Sequence, residues 1–153
     1  MYFLDAEQTH TRLGELGFKA ESLKSAMSSH PSVPAGSKKQ ELREDFVTGY
    51  LAAKQAVDHI GNFTSCLLYI HSMGGRLSLE NSHLYERLRR SYGETRPNYA
   101  APGHVFYRHD LFDLISFCEL VANYRFAAVL IQHSSRAWVS FAQDDSMYLV
   151  AEK

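Results

Sequence analysis

The pattern Glu-x-x-His, which can supply two ligands to a metal ion, occurs twice in the sequence: at Glu7 with His10, and at Glu80 with His83. On a helix this spacing puts a carboxylate and an imidazole on one face, and two such pairs with two further glutamates build di-iron or di-manganese sites in helical bundles. The pattern is short and common in a chain with eight histidines, so it is weak support by itself. A bundle metal site with Glu80 and His83 as ligands stays one alternative, and our leading prediction includes no cofactor.

Arg76 and His83 form a second pattern, with six residues between them. This spacing resembles the Arg-x(4–6)-His motif of the HEPN ribonucleases, helical proteins in which the arginine and the histidine act together on the RNA phosphate. The resemblance implies a bundle fold and a ribonuclease activity with Arg76 and His83 as catalytic residues. Residue 77 is leucine, where the family usually has a polar residue, and two glycines immediately precede Arg76.

Tyrosine and arginine are concentrated between residues 84 and 108. These residue types are enriched at the energetic centres of protein interfaces, and arginines beside aromatic rings can also hold phosphates and stack on bases. The competing interpretation is an ordinary solvated helix face, because Glu86 can pair with Arg89 or Arg90 one turn further on. The predicted binding surface consists of Tyr85, Arg87, Arg89, Arg90, Tyr92, Arg96 and Tyr99.

The remaining candidates for chemistry favour structural roles. His71 lies on the apolar stripe of a predicted helix, where a lone histidine is more often hydrogen-bonded in the core than catalytic. Cys66 and Cys118 sit in apolar segments without an adjacent base, so we expect structural thiols. The sequence contains no glycine-rich phosphate loop, paired-cysteine zinc motif or nucleophile elbow. A protein without catalytic activity is therefore favoured over an enzyme.

The totals describe an ordinary globular chain of 153 residues, 45% hydrophobic and 22% charged, with a formal net charge of −1. That length predicts a single domain over residues 1–153. A near-neutral charge gives no long-range attraction to nucleic acid or to anionic membrane. The longest apolar stretch is far shorter than the roughly 20 residues that cross a bilayer, so we predict no membrane partner. Two cysteines and an N-terminus without a secretory pattern favour the cytoplasm.

Hydrophobic periodicity predicts four helices. Steps of three and four residues connect the apolar positions of a long second helix, which Gly61 could kink or split. The segment 93–103 contains glycine and proline and forms a long irregular connection, of the kind that often carries function. The predicted helices cover about 5–29, 38–72, 77–92 and 105–124.

The C-terminal segment changes to short runs rich in β-branched and aromatic residues, separated by hairpin-like connections. These runs predict strands at about 126–132, 137–142 and 147–151. Three antiparallel strands with one face against a helix are enough for a stable sheet. The predicted fold class is therefore α+β: a four-helix, bundle-like N-terminal part followed by a three-stranded antiparallel β-meander.

These patterns lead to one functional hypothesis with two alternatives. We expect a small cytoplasmic interaction protein that binds itself, as a homo-oligomer, or binds another protein through the segment 84–108. The first alternative is a nucleic-acid-binding protein or HEPN-like ribonuclease using Arg76 and His83. The second is a bundle metal protein using Glu80 and His83. The hypotheses differ in the partner, which is a protein, a nucleic acid or a metal ion.

Overall fold

The fold is built on one antiparallel sheet. The computed structural model describes residues 1–18, 37–42, 46–73, 79–132 and 137–151. The strands are β1 (Tyr2–Leu4), β2 (Lys38–Glu41), β3 (Ser65–Ser72), β4 (Gly103–Tyr107), β5 (Ala127–Gln132), β6 (Ala137–Phe141) and β7 (Ser146–Ala151). Within the described residues, these seven strands lie in the order β1-β4-β3-β5-β6-β7-β2. Every pair of neighbouring strands is antiparallel.

Helices cover both faces of this sheet. In the described ranges they are α1 (Ala6–Glu15), α2 (Phe46–Ile60), α3 (Leu79–Ser91) and α4 (Leu111–Asn123), with a 3-10 turn at Arg108–Asp110 that leads into α4. α1 begins at Asp5, whose carboxylate accepts from the Gln8 N–H at 2.8 Å while the Gln8 side chain accepts from the Asp5 N–H at 3.0 Å. This reciprocal capping box fixes the start of the helix.

Each face of the sheet has its own hydrophobic core. α2 and α4 pack on one face together with Leu68 and Ile70 of β3. α1 packs on the other face, against Leu67 and Tyr69 of the same strand. Because both faces are covered, β3 is apolar at successive positions and does not show the alternation of a half-exposed strand.

The long helix predicted at 38–72 is wrong, because the structure has β2, α2 and β3 in that range. α2 ends at Ile60, where Gly61 follows with a φ of 72°. The Gly61 N–H donates to the carbonyls of Val57 at 3.3 Å and Asp58 at 3.1 Å. Glycine adopts this left-handed conformation without strain and so ends the helix. The apolar run beyond it fits helical spacing only because β3 is buried on both faces.

The four-helix bundle with a separate three-stranded meander is also wrong. Strands from the N-terminal half join the C-terminal strands in a single sheet. The helix predicted at 105–124 begins later, at Leu111, because residues 103–107 form β4, whose first four residues are buried. The α+β class itself is confirmed, and the three predicted C-terminal strands correspond to β5, β6 and β7.

The other two predicted helices correspond to shorter elements. The helix at 77–92 corresponds to α3, and the start of the helix at 5–29 corresponds to α1. Residues 19–29 of that prediction lie outside the described residues. No helix in the described part of the chain has both the length and the hydropathy that crossing a bilayer requires.

Gly103 in β4 is a position where the packing of α1 on the sheet leaves no room for a side chain. A Cβ atom there would lie 2.3 Å from Thr9 Oγ1 and 3.1 Å from Leu4 Cβ, and the Thr9 hydroxyl already donates to the Asp5 carbonyl at 2.5 Å. We expect Gly103→Ala to lower the free energy of unfolding by about 1–3 kcal/mol through overpacking, as measured by urea denaturation. The control is Gly14→Ala on the exposed face of α1, where a Cβ meets nothing within 4 Å and should add about 0.5–1 kcal/mol. Equal effects of the two substitutions would contradict the packing argument.

Candidate binding pocket

The residues of the predicted binding surface do not share one environment. Arg87 and Arg90 are exposed on α3, whereas Tyr85 and Arg89 on the same helix are 0% exposed. Tyr85 and Arg89 therefore belong to the interior, and their predicted surface role is wrong. The exposed arginines stay candidates for contact with a partner.

The other predicted surface residues follow α3. The Tyr92 hydroxyl donates to the Asp113 carboxylate at 2.5 Å, and this bond raises the pKa of Tyr92 to about 12. Arg96 Nη2 lies 2.6 Å from Glu94 Oε2, and the hydrogen bonds from Arg96 lower the pKa of the Glu94 carboxyl. Tyr99 is 83% exposed. Tyr99 is thus the aromatic residue of the predicted surface that is most open to a partner.

The residues of the two alternative hypotheses receive little support. Arg76 and the side chain of Glu80 lie outside the described residues, and His83 is exposed on α3. The HEPN resemblance implied a helical bundle, which the seven-stranded sheet contradicts. Among the described side chains, no group of three or more His, Cys, Asp or Glu lies close enough together to hold a metal ion. Neither alternative gains a site from the part of the chain that is described.

Arg89 is a buried cation that joins three parts of the chain. Its Nη2 donates to the Ala101 carbonyl at 2.7 Å, and its Nη1 lies 3.3 Å from each carboxylate oxygen of Glu86. The guanidinium carbon lies 5.3 Å from the centre of the Phe3 ring and 5.6 Å from that of Tyr85. These contacts link α3 to β1 and to the segment before β4. They replace part of the hydration that burial removes from the cation, and the buried Arg89 Nε has no hydrogen-bond partner among the described residues.

A chain of buried hydrogen bonds runs beside Arg89 through Tyr85, His104 and Asn98. The Tyr85 hydroxyl oxygen lies 2.5 Å from His104 Nε2 and 3.0 Å from Asn98 Oδ1. His104 Nδ1 lies 3.0 Å from the Pro102 carbonyl, so this nitrogen carries the ring hydrogen and donates it. Burial, and next the Arg89 cation, lower the pKa of His104 to about 3. The ring is therefore neutral near pH 7, and Nε2 accepts from Tyr85.

Two acceptors in this chain of hydrogen bonds compete for the one hydrogen of the Tyr85 hydroxyl. The Tyr85 hydroxyl has a single hydrogen and faces two acceptors, and the shorter distance assigns it to His104 rather than to Asn98. A second ring proton on His104 would free the hydroxyl hydrogen for Asn98. Burial of the ring and the nearby Arg89 cation oppose that charge and outweigh the gain.

Asn98 fixes the loop 94–102 to the elements below it. Its Nδ2 donates to the Ile70 carbonyl of β3 at 3.0 Å, and its N–H donates to Glu86 Oε1 of α3 at 3.2 Å. The Ile70 N–H in turn donates to the Pro102 carbonyl at 3.1 Å. The loop is therefore bonded to both β3 and α3.

The tip of this loop is a tight turn. The N–H groups of Ala100 and Ala101 donate to the Pro97 carbonyl at 3.0 and 3.1 Å. Tyr99 lies inside this turn, next to the anchored Asn98, and its side chain is exposed. The backbone that carries Tyr99 is thus held in one conformation by hydrogen bonds on both sides.

A pocket of about 440 Å³ opens between this loop, α1 and the end of β3. The centres of the His10 and Tyr69 rings are 6.1 Å apart with an interplanar angle of 89°, and those of Tyr69 and His71 are 5.8 Å apart at 54°. This volume lies within the roughly 300–1,000 Å³ range of ligand-binding pockets. Its aromatic and polar lining residues are His10, Tyr69, His71, Ser72, Glu86, Asn98 and Tyr99.

A β-bulge places His71 at this pocket. In the pairing of β3 with β5, Ile70 lies opposite Ala128 and Ser72 lies opposite Ala127, so His71 is the extra residue. Bulges re-aim a side chain and are common beside functional sites. The sequence placed His71 on the core stripe of a helix, and the structure places it in a strand at the edge of the pocket.

Tyr99 belongs to the binding surface predicted from the sequence, whereas His10, Tyr69 and Glu86, which line the pocket with it, do not. His10 stood out only as a metal ligand, and Glu86 only as an ion-pair partner of arginine on a solvated face. The one local signal for the anchored loop is the dipeptide Pro97-Asn98, which is typical of turns. No sequence pattern indicates that Tyr69 belongs to a site, because its segment was predicted to be part of a helix.

The cysteines do not supply a nucleophile at this pocket. Cys66 and Cys118 are free and buried, and burial raises the pKa of both thiols. A reactive cysteine needs a lowered pKa and access to solvent, so the two residues fit the structural role expected of them. Neither cysteine is among the described residues that line the pocket.

The buried ion pair predicts a large difference between neighbouring arginines of α3. Arg89→Met should lower the free energy of unfolding by about 3 kcal/mol, because it leaves the Glu86 carboxylate without its cation. Arg87→Met and Arg90→Met change exposed residues of the same helix and should each stay within about 0.5 kcal/mol of the wild type. Urea denaturation of the three variants measures this. Similar losses in the free energy of unfolding for all three variants would contradict the burial of Arg89.

The neutral state of His104 predicts a pH-dependent stability. The pKa of histidine is about 6.5 in an unfolded chain and about 3 in this fold, so the unfolded state binds more protons between these values. The free energy of unfolding should therefore fall as the pH drops from about 6.5 to about 3. His104 contributes at most about 1.4 kcal/mol per pH unit to this fall. His104→Gln should remove that part of the slope when free energies of unfolding are compared at about pH 4.5 and pH 6. An unchanged slope in the variant would contradict a buried neutral histidine.

No protein-family model, curated protein or solved structure gives a significant match to this chain. Its function is therefore inferred from the pocket and from the buried network that holds it.

Proposed function

We propose that this chain is a binding protein without catalytic activity, which docks a protein partner at the pocket between α1, the end of β3 and the loop 94–102. The observation that carries this proposal is Tyr99, whose side chain is 83% exposed on a backbone fixed through Asn98. A rigid, exposed tyrosine buries a large area on binding at a small entropic cost. Residues of this kind form the anchors of protein interfaces.

The cost of the buried network supports a role in recognition. Arg89 and Glu86 have to lose hydration, and a well-packed apolar core of the same volume is often as stable as such a pair. Networks of this kind are expected where a site must be held in one geometry. In this chain the network ends at Asn98, which fixes the wall of the pocket beside Tyr99.

The charge at the pocket favours a protein partner over a nucleic acid. Glu86 lines the pocket and would repel a phosphate backbone at short range. Binding to nucleic acid depends on cations that replace counterions, and the described lining residues include no arginine or lysine. A second copy of this chain counts as a protein partner. A cytoplasmic location belongs to the same proposal and is supported by the two free cysteines.

Tyr99→Ala tests this function, with Phe112→Ala as the matched control. Both side chains are 83% exposed, so neither substitution should change stability by more than about 0.5 kcal/mol. Phe112 lies at the start of α4, away from the pocket lining. Truncating an interface anchor costs about 2 kcal/mol, or roughly thirtyfold in affinity. Proteins retained from a lysate of the source cell by wild type and by each variant are compared quantitatively, and sedimentation velocity tests self-association.

We expect a partner that wild type and Phe112→Ala retain equally and that Tyr99→Ala loses. If the partner is a second copy, the dimer should instead dissociate in Tyr99→Ala alone. Retained proteins and sedimentation coefficients that are the same for Tyr99→Ala and wild type would refute docking at this pocket. Loss of the partner with Phe112→Ala alone would place the interface at α4.

A further inference from the structure

We propose that the pocket takes the cationic side chain of a lysine or arginine from the partner, an inference that rests on the proposed function and gives its partner a chemistry. The inference combines the exposed Tyr99 ring with the difference in exposure between the Arg89 and Glu86 side chains. It concerns His10, Tyr69, His71, Tyr99 and Glu86, which line the pocket.

The His10 and His71 rings pack at an angle against Tyr69, which is 6% exposed. The His10 ring meets Tyr69 at 89° and the His71 ring meets Tyr69 at 54°, with centroids 6.1 and 5.8 Å apart. Tyr99 adds an exposed ring from the fixed loop tip. The electron-rich face of this Tyr99 ring can attract an ammonium or guanidinium group that enters the pocket.

Glu86 presents negative charge to the pocket although it is paired with Arg89. The Arg89 side chain is 0% exposed and that of Glu86 is 24% exposed, so the carboxylate is the accessible member of the pair. Its oxygens accept from the Asn98 N–H at 3.2 Å and from Arg89 Nη1 at 3.3 Å. A carboxylate has about four acceptor positions. Capacity is left for a donor that arrives from the pocket.

Other side chains satisfy this lining less well. An anionic side chain would be repelled by Glu86, and an apolar one would remove water from the carboxylate without replacing its hydrogen bonds. A long basic side chain avoids both penalties, because its charged end can reach Glu86 while its methylene stem lies on exposed lining residues such as Ala6 and Pro97.

The test is an NMR titration of the isotopically labelled chain with n-butylammonium, and with n-butanol as the neutral probe of the same length. We expect n-butylammonium to shift the resonances of Tyr69, His71 and Tyr99 in a saturable way, and n-butanol to leave them unshifted. Tyr99→Ala should weaken n-butylammonium binding about fivefold, the size of one cation–π contact. Glu86→Gln should weaken it at least as much.

Glu15→Gln is the matched control, since it neutralises a carboxylate that is 56% exposed on α1 and should leave the affinity unchanged. If Glu86→Gln does not fold, Tyr99→Ala decides alone, because that side chain faces solvent. Absence of a saturable shift, equal shifts with n-butanol, or tighter binding of n-butyrate would each overturn the cationic ligand. Tyr99-dependent partner capture without probe binding overturns this inference alone. Probe binding with Tyr99-independent capture overturns the proposed docking function alone.

Discussion

The buried guanidinium of Arg89 is the interaction on which the site depends. A cation that is 0% exposed is stable in a protein only if its lost hydration is replaced. Arg89 finds most of those replacements in Glu86, the Ala101 carbonyl and the Phe3 and Tyr85 rings, while its buried Nε has no hydrogen-bond partner in the described part of the chain. Because these groups come from α3, β1 and the loop, satisfying one cation brings three separate segments together. Glu86 then holds Asn98, so the geometry of the pocket wall follows from the position of Arg89.

The elements that the sequence identifies are those whose determinants are local. α1 begins with the capping box of Asp5 and Gln8, and the C-terminal strands are short runs separated by polar connections. β3 was assigned to a helix because burial on both faces removes the alternation that reveals a strand. Gly61 was the available signal for the boundary, since its left-handed conformation ends α2. Strand pairing and sheet order depend on contacts distant in sequence and leave no local pattern.

The same distinction applies to the candidate site: features with a local sequence signal can be predicted, and contacts between distant segments cannot. The segment that the sequence favours for binding, residues 84–108, includes the loop and its exposed Tyr99, and its role in binding stays a proposal. It could not separate Arg89 from Arg87 and Arg90, because the three arginines are alike in type and lie within one helical turn. What selects Arg89 for burial is the position of the Phe3 ring and the Ala101 carbonyl, which only the folded sheet brings to α3. His10 and Tyr69 were missed for the same reason, because α1 and β3 meet only in the tertiary fold.

The charge that the pocket presents to a ligand depends on how deeply each charged side chain is buried, and not on the net charge of the chain. The chain has a formal net charge of −1, and the Arg89–Glu86 pair contributes nothing to that total. The arginine is fully buried, however, and the carboxylate retains 24% of its exposure, so a ligand meets the carboxylate first. At short range and partly out of water, the nearer charge dominates the field. A chain with almost no net charge can therefore attract a cation at one pocket while having little general attraction for charged molecules elsewhere.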